Sequence, residues 1–161
     1  MIPKTEKGLE TVFAQCARRK VFVLISKEIY RDYRDEALAD FASAQDEIVQ
    51  GNIKWAIVKA YQALFLQCTA LLVKRQGVYS KDHGCLVAAL LKDASIASDV
   101  LQLVQGAFHH RTTLFEEIDH IRIFRNKALY FPKTQSNIGR EEAERIIENV
   151  RKLIAALGEY L

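Results

Sequence analysis

The stretch Ile53–Gln76 constrains the fold of this chain more than any other part of it. Within it Ile53, Ala56, Ile57, Ala60, Tyr61, Leu64, Phe65, Cys68, Leu71 and Leu72 recur at steps of three and four residues. That spacing lines side chains up on one face of an α-helix. A face this wide suits the central helix of a bundle, with neighbours packed around it. Gly77 supplies the stop.

The rest of the chain repeats the helical period. Thr5 is placed to cap a first helix with Leu9, Val12, Phe13 and Cys16 on its apolar face. Ser26 is placed to cap a long helix that ends at Gly51-Asn52, with Ala37, Phe41, Ala44 and Ile48 as its inner stripe. Ser80 opens a shorter helix over 81–92 carrying Leu86, Val87, Ala89, Leu90 and Leu91. Ser98 opens a further segment, in which Gly106 and His109-His110 obscure the continuity. Thr113-x-x-Glu116 has the capping-box pattern, and the helix it starts should end near Tyr130, because Pro132 pushes Phe131 out of the α region. The last helix carries Glu141 and Glu142 at its positive end and an inner face of Ala143, Ile146, Ile147, Val150, Leu153, Ile154 and Leu157. Between the first two helices, Arg18-Arg19-Lys20 precedes the β-rich run Val21-Phe22-Val23-Leu24-Ile25. This run is short and solitary, so we expect an extended connector lying on the bundle. The fold class expected is all-α, an antiparallel up-and-down bundle of four to five main helices. Residues 1–25 form an N-terminal helix and connector, and 26–161 the bundle.

Composition narrows the function classes. The chain has 161 residues, half of them hydrophobic, with 7 Gly and 2 Pro. That is one domain with enough apolar material for a core, and it excludes disordered, collagenous and low-complexity classes. A net charge of +3 is far from the basic stripe of a dedicated duplex-DNA binder. The early apolar run of five residues is too short to span a bilayer, and the first ten residues lack a signal-peptide pattern. A soluble, cytoplasmic protein with no membrane association is expected. Cys16, Cys68 and Cys85 include no C-x-x-C and no His at ligand spacing, so all three are expected to be buried free thiols. G-x-S-x-G, P-loop, G-x-G-x-x-G and H-E-x-x-H patterns do not occur, and neither a metal nor a cofactor is expected.

One cation stands out. Leu114, Ile118, Ile121, Ala128 and Leu129 fall on one helical stripe, and Arg125 falls near the middle of it. A guanidinium there needs a carboxylate, a polar cleft or an anionic ligand. Arg122 and Asn126 enrich the donors around it. Ile123 and Phe124 lie off the stripe and suggest a second surface covered by another chain.

Three segments in order resemble the HEPN domain family. Segment 55–65, with Tyr61-Gln62-Ala63-Leu64-Phe65, resembles its second-helix pattern of Tyr-x-Ala-x-Phe. Gly77-Val78-Tyr79-Ser80-Lys81-Asp82-His83 is similar to its Gly-x-x-x-Lys-Ser-His segment, with Asp82 in place of Ser. Arg125-Asn126-Lys127-Ala128-Leu129-Tyr130 resembles its Arg-x4-His or Arg-x4-Tyr motif.

The resemblance implies a helical bundle, a homodimer with the Arg motifs near its dyad, and RNA or a nucleotide as ligand. Many members are metal-independent ribonucleases, including toxins paired with nucleotidyltransferase antitoxins. In those, Arg stabilises phosphate charge and His moves the proton. Here Arg125 and Tyr130 are the implied catalytic pair, with Arg122, Asn126, Tyr61 and His83 as binding residues. Tyrosine, with an ordinary pKa near ~10 against ~6.5 for histidine, is a poor base at neutral pH. Five residues also separate two side chains by about 140° on a regular helix. Arg125 and Tyr130 therefore converge only at a helix end or across a dimer axis. The expected function is RNA or nucleotide binding in a toxin–antitoxin or nucleotidyltransferase-associated system, with weak or no ribonuclease activity. An active metal-independent ribonuclease and a non-catalytic partner subunit of a minimal nucleotidyltransferase are the alternatives.

Overall fold

The computed structural model describes residues 6–93, 114–130 and 138–161. The elements are α1 (Glu6–Arg18), β1 (Phe22–Leu24), a 3-10 turn (Lys27–Ile29), α2 (Tyr30–Val49), α3 (Ile53–Gln76), β2 (Val78–Ser80), α4 (His83–Lys92), α5 (Leu114–Tyr130) and α6 (Arg140–Gly158). The expected all-α bundle is what forms, with α3 in contact with α2, α4, α5 and α6.

The centrality of α3 follows from its composition. Beyond the expected face, Ala63, Leu66, Gln67, Thr69, Ala70 and Val73 are also buried, so α3 is enclosed on every side from Leu66 to Val73. Fully burying Ile57, Leu64, Leu71 and Leu72 stabilises by about 1.5–3 kcal/mol each. By length and composition α3 could cross a membrane, but most of that stretch is buried inside the protein. The turn from α2 to α3 uses Gly51 at φ 81°, where a side chain would be strained. Ala37 and Ala44 on α2, and Ala56, Ala60 and Ala63 on α3, are fully buried and let the two helices pack closely. The expected inner face of α6 is buried at all seven positions, from Ala143 to Leu157. Gly77 ends α3 in the left-handed region at φ 68°, and its N–H donates to the Val73 carbonyl.

Several local expectations are corrected. The β-rich run is not solitary: β1 pairs antiparallel with β2, placing Phe22 opposite Ser80 and Leu24 opposite Val78. Their partnership spans α2 and α3, so no local pattern announces it. Ser26 precedes the 3-10 turn without a side-chain cap bond, and α2 starts only at Tyr30. The cap of α4 is Asp82 rather than Ser80, because the Cys85 N–H donates to Asp82 Oδ1 at 3.0 Å. Phe124 is buried in the core and does not face outward, whereas Ile123 is exposed. Among the described side chains of α5 the buried ones are Ile121, Phe124 and Ala128, which moves Arg125 from the middle of the inner stripe to its edge. Thr5, the segment opened by Ser98, the Thr113 capping box and the Pro132 helix stop lie outside the described residues.

The largest correction concerns the thiols. Cys16 and Cys85 form a disulfide between α1 and α4, with Cα atoms 5.7 Å apart. The β1–β2 pairing brings the end of α1 beside the start of α4, which places two cysteines 69 residues apart within bonding reach. Cys68 alone fits the free-thiol expectation, and burial pushes its thiol pKa up to about 12.

Candidate functional site

The site is built around Tyr61, which α3 holds almost fully buried. Its hydroxyl is hydrogen-bonded to His83 Nδ1 at 2.5 Å, and the two rings stack with centroids 5.4 Å apart. Phe65, one turn further along α3, brings its ring to 4.1 Å from the His83 ring. His83 is thus fixed by two aromatic residues of one helix face, four positions apart.

The junction between β2 and α4 aims His83 at that face. The Ser80 hydroxyl donates to the Asp82 carbonyl at 2.9 Å and accepts from the Asp82 N–H at 3.2 Å. Asp82 then caps the helix whose first residue is His83. Arg19, beyond the end of α1, pairs with Asp82 Oδ2 at 3.2 Å. Burial pushes the Asp82 carboxyl up, but the Cys85 N–H, Arg19 and the Gly84 N–H outweigh it and hold its pKa below the ordinary value.

Arg125 reaches the same tyrosine from α5. Its guanidinium carbon lies 5.6 Å from the Tyr61 ring centroid, within cation–π range. Nη1 donates to Asn126 Oδ1 at 2.8 Å. Among the described residues, no carboxylate pairs with Arg125. A half-buried cation, oriented by a ring and an amide and left with most of its donors uncommitted, is suited to an anion such as a phosphate.

Four candidates therefore converge: Arg125, Asn126, Tyr61 and His83. Tyr130 does not join them within the chain; it is 74% exposed at the end of α5, with no hydrogen bond or ring contact to Arg125. Arg122 is on the same helix, and its side chain lies outside the described residues. Three contributors, Phe65, Asp82 and Arg19, are noted in the sequence but not assigned there to the site. Phe65 was visible as the i+4 neighbour of Tyr61, and Asp82 as a polar residue before a helix. Arg19 left no signal, because 63 residues separate it from Asp82.

No curated protein and no solved structure matches the chain. The sequence model of the HEPN domain matches residues 30–160, a span that includes Tyr61, His83, Arg125 and Tyr130. HEPN domains are associated with nucleotides and RNA, often as ribonucleases or toxins, and often act as dimers. With most of its length inside that match, the chain belongs to the HEPN domain family.

Proposed function

We propose that this protein binds RNA or a nucleotide phosphate through Arg125, oriented by Asn126 and Tyr61, in a toxin–antitoxin or nucleotidyltransferase-associated system. The observation that carries the proposal is the guanidinium itself. It is half-buried, seated over the Tyr61 ring and paired with no carboxylate among the described residues. Desolvation strengthens its attraction for an anion, and the fixed orientation lowers the entropy lost on binding. His83 contributes a polar ring at the same tyrosine.

Ribonuclease activity is weak or absent in this proposal. Tyr130 stands where the family's motif has histidine, and it lies apart from Arg125 in its own chain. A dimer could bring the two motifs together. Ile123 and Tyr130 are both exposed and, seven residues apart, share one outward stripe of α5 on which a second copy would pack.

The test is binding and cleavage of a labelled single-stranded RNA in EDTA, alongside a thermal-shift series with mononucleotides. Binding that Arg125→Ala abolishes, with little or no cleavage, is expected. Absence of binding to both RNA and mononucleotides overturns the proposal. Rapid metal-independent cleavage lost in Arg125→Ala would replace it with an active ribonuclease.

A further inference from the structure

A cluster of cations sits at the open end of the β1–β2 ribbon, three of them before the segment matched to the family. Arg18 ends α1, Arg19 and Lys20 form the turn after it, and Lys81 follows β2. All four are exposed. The Lys81 N–H donates to the Val21 carbonyl at 3.2 Å, so the two chain segments lie side by side. Arg19 is paired with Asp82, while Arg18, Lys20 and Lys81 have no ion-pair partner among the described residues.

This turn is held firmly. The Cys16–Cys85 disulfide ties it to α4, the ribbon pairs behind it, and the Arg19–Asp82 ion pair closes it. The Arg19 N–H donates to the Gln15 carbonyl and the Lys20 N–H to the Ala17 carbonyl, each at 3.0 Å. Lys20 has φ 53°, and it is the only non-glycine residue in the left-handed region among the described residues. Glycine ends α3 in that conformation at Gly77, so a lysine here carries a backbone cost that glycine would avoid. An observed outlier of this kind points to a role for the side chain.

The turn is linked to the Arg125 site by a relay of contacts. Arg125 lies over Tyr61, Tyr61 is hydrogen-bonded to His83, and His83 follows Asp82, which holds Arg19. We infer that Arg18, Lys20 and Lys81 form a second subsite that grips the phosphodiester backbone of a single-stranded RNA, another phosphate of which is held at Arg125. This inference rests on the proposed function and extends it from one phosphate to a strand. A polyanionic strand accounts for unpaired cations on both sides of the ribbon end.

The experiment compares the wild type with the triple variant Arg18→Gln, Lys20→Gly, Lys81→Gln. Fluorescence anisotropy with a labelled single-stranded RNA dodecamer is measured over a range of KCl, together with binding of a mononucleotide. Losing three phosphate contacts should reduce the log–log salt slope by about 2. Dodecamer affinity should fall at least tenfold at low salt, mononucleotide binding should stay unchanged, and the Tm should not drop, since Lys20→Gly relieves the left-handed strain. An unchanged slope, with wild-type RNA binding intact, overturns the second subsite and leaves the Arg125 proposal standing. If the wild type binds no RNA, the second subsite falls; if it binds no mononucleotide either, the Arg125 proposal falls with it. Unchanged RNA binding with loss of binding to poly-glutamate would overturn the RNA assignment and mark the turn as a docking surface for an acidic protein.

Discussion

The Tyr61 hydroxyl and Nδ1 of His83 lie 2.5 Å apart, although 22 residues separate them in the chain. This hydrogen bond couples the central helix α3 to the first residue of α4, and the same tyrosine ring carries Arg125 on α5. Three helices thus meet at one buried side chain. Tyr61→Phe keeps the ring under Arg125 and removes only the hydroxyl. It should cost about 1 kcal/mol in urea unfolding. Tyr61→Leu, which also removes the aromatic face, should weaken nucleotide binding further than Tyr61→Phe does.

The Asp82 carboxyl has a folded-state pKa below its ordinary value. Its contribution is therefore fully present above that ordinary value and is lost as pH falls through the folded pKa. Stability should fall on acidification below about pH 4, and part of that fall should vanish in Asp82→Asn. Asparagine still caps the helix but loses the ion pair with Arg19, so Asp82→Asn should cost part of that contribution at pH 7, and Asp82→Ala should cost about 1 kcal/mol more through the lost cap. Urea midpoints from pH 2 to 7 check both statements.

The Cys16–Cys85 disulfide closes a long loop that contains α2 and α3. Its removal in a Cys16→Ala, Cys85→Ala variant should lower stability by about 2–4 kcal/mol. Because α1 packs on α4, reduction should also release α1 first. Limited proteolysis with and without a dithiol should show new cleavage within 6–18 and a persisting core fragment.

Gln67 is buried between α3 and α6, where Nε2 donates to the Ile154 carbonyl at 3.2 Å. Its Oε1 has no hydrogen-bond partner among the described residues. A desolvated acceptor without a donor is destabilising by more than one modest bond returns. Gln67→Leu should therefore raise stability by about 1 kcal/mol, read as a higher midpoint with an unchanged urea slope.

Ile123 is exposed on α5, away from the core residues Ile121, Phe124 and Ala128. If that face meets a second copy, Ile123→Glu should shift the molar mass in light scattering from dimer to monomer. Its urea stability should stay within about 0.5 kcal/mol of the wild type when both are measured as monomers.

The bundle was legible because its signals are local. The period of α3, the amphipathic face of α6, and the stops at Gly51 and Gly77 each lie within a few turns of chain, and each marks a helix and its inner face. Part of the site was legible on the same terms, since Tyr61, His83, Arg125 and Asn126 sit in short recognisable segments. The pattern overreached at α5, where counting apolar positions placed Arg125 inside the stripe and Phe124 outside it. Packing reversed both, because the aromatic ring reached the core and the guanidinium turned toward Tyr61.

Sequence alone determined the helical class, the central helix and the residue types available for gripping an anion. Helical hydrogen bonds and face periodicity span three or four residues, and a linear reading captures that range. Tertiary structure alone decided the β1–β2 ribbon, the Cys16–Cys85 bond, the Arg19–Asp82 pair and the convergence on Tyr61. Each joins groups far apart in the chain, and their partnership exists only once burial of α3 has brought the segments around it together.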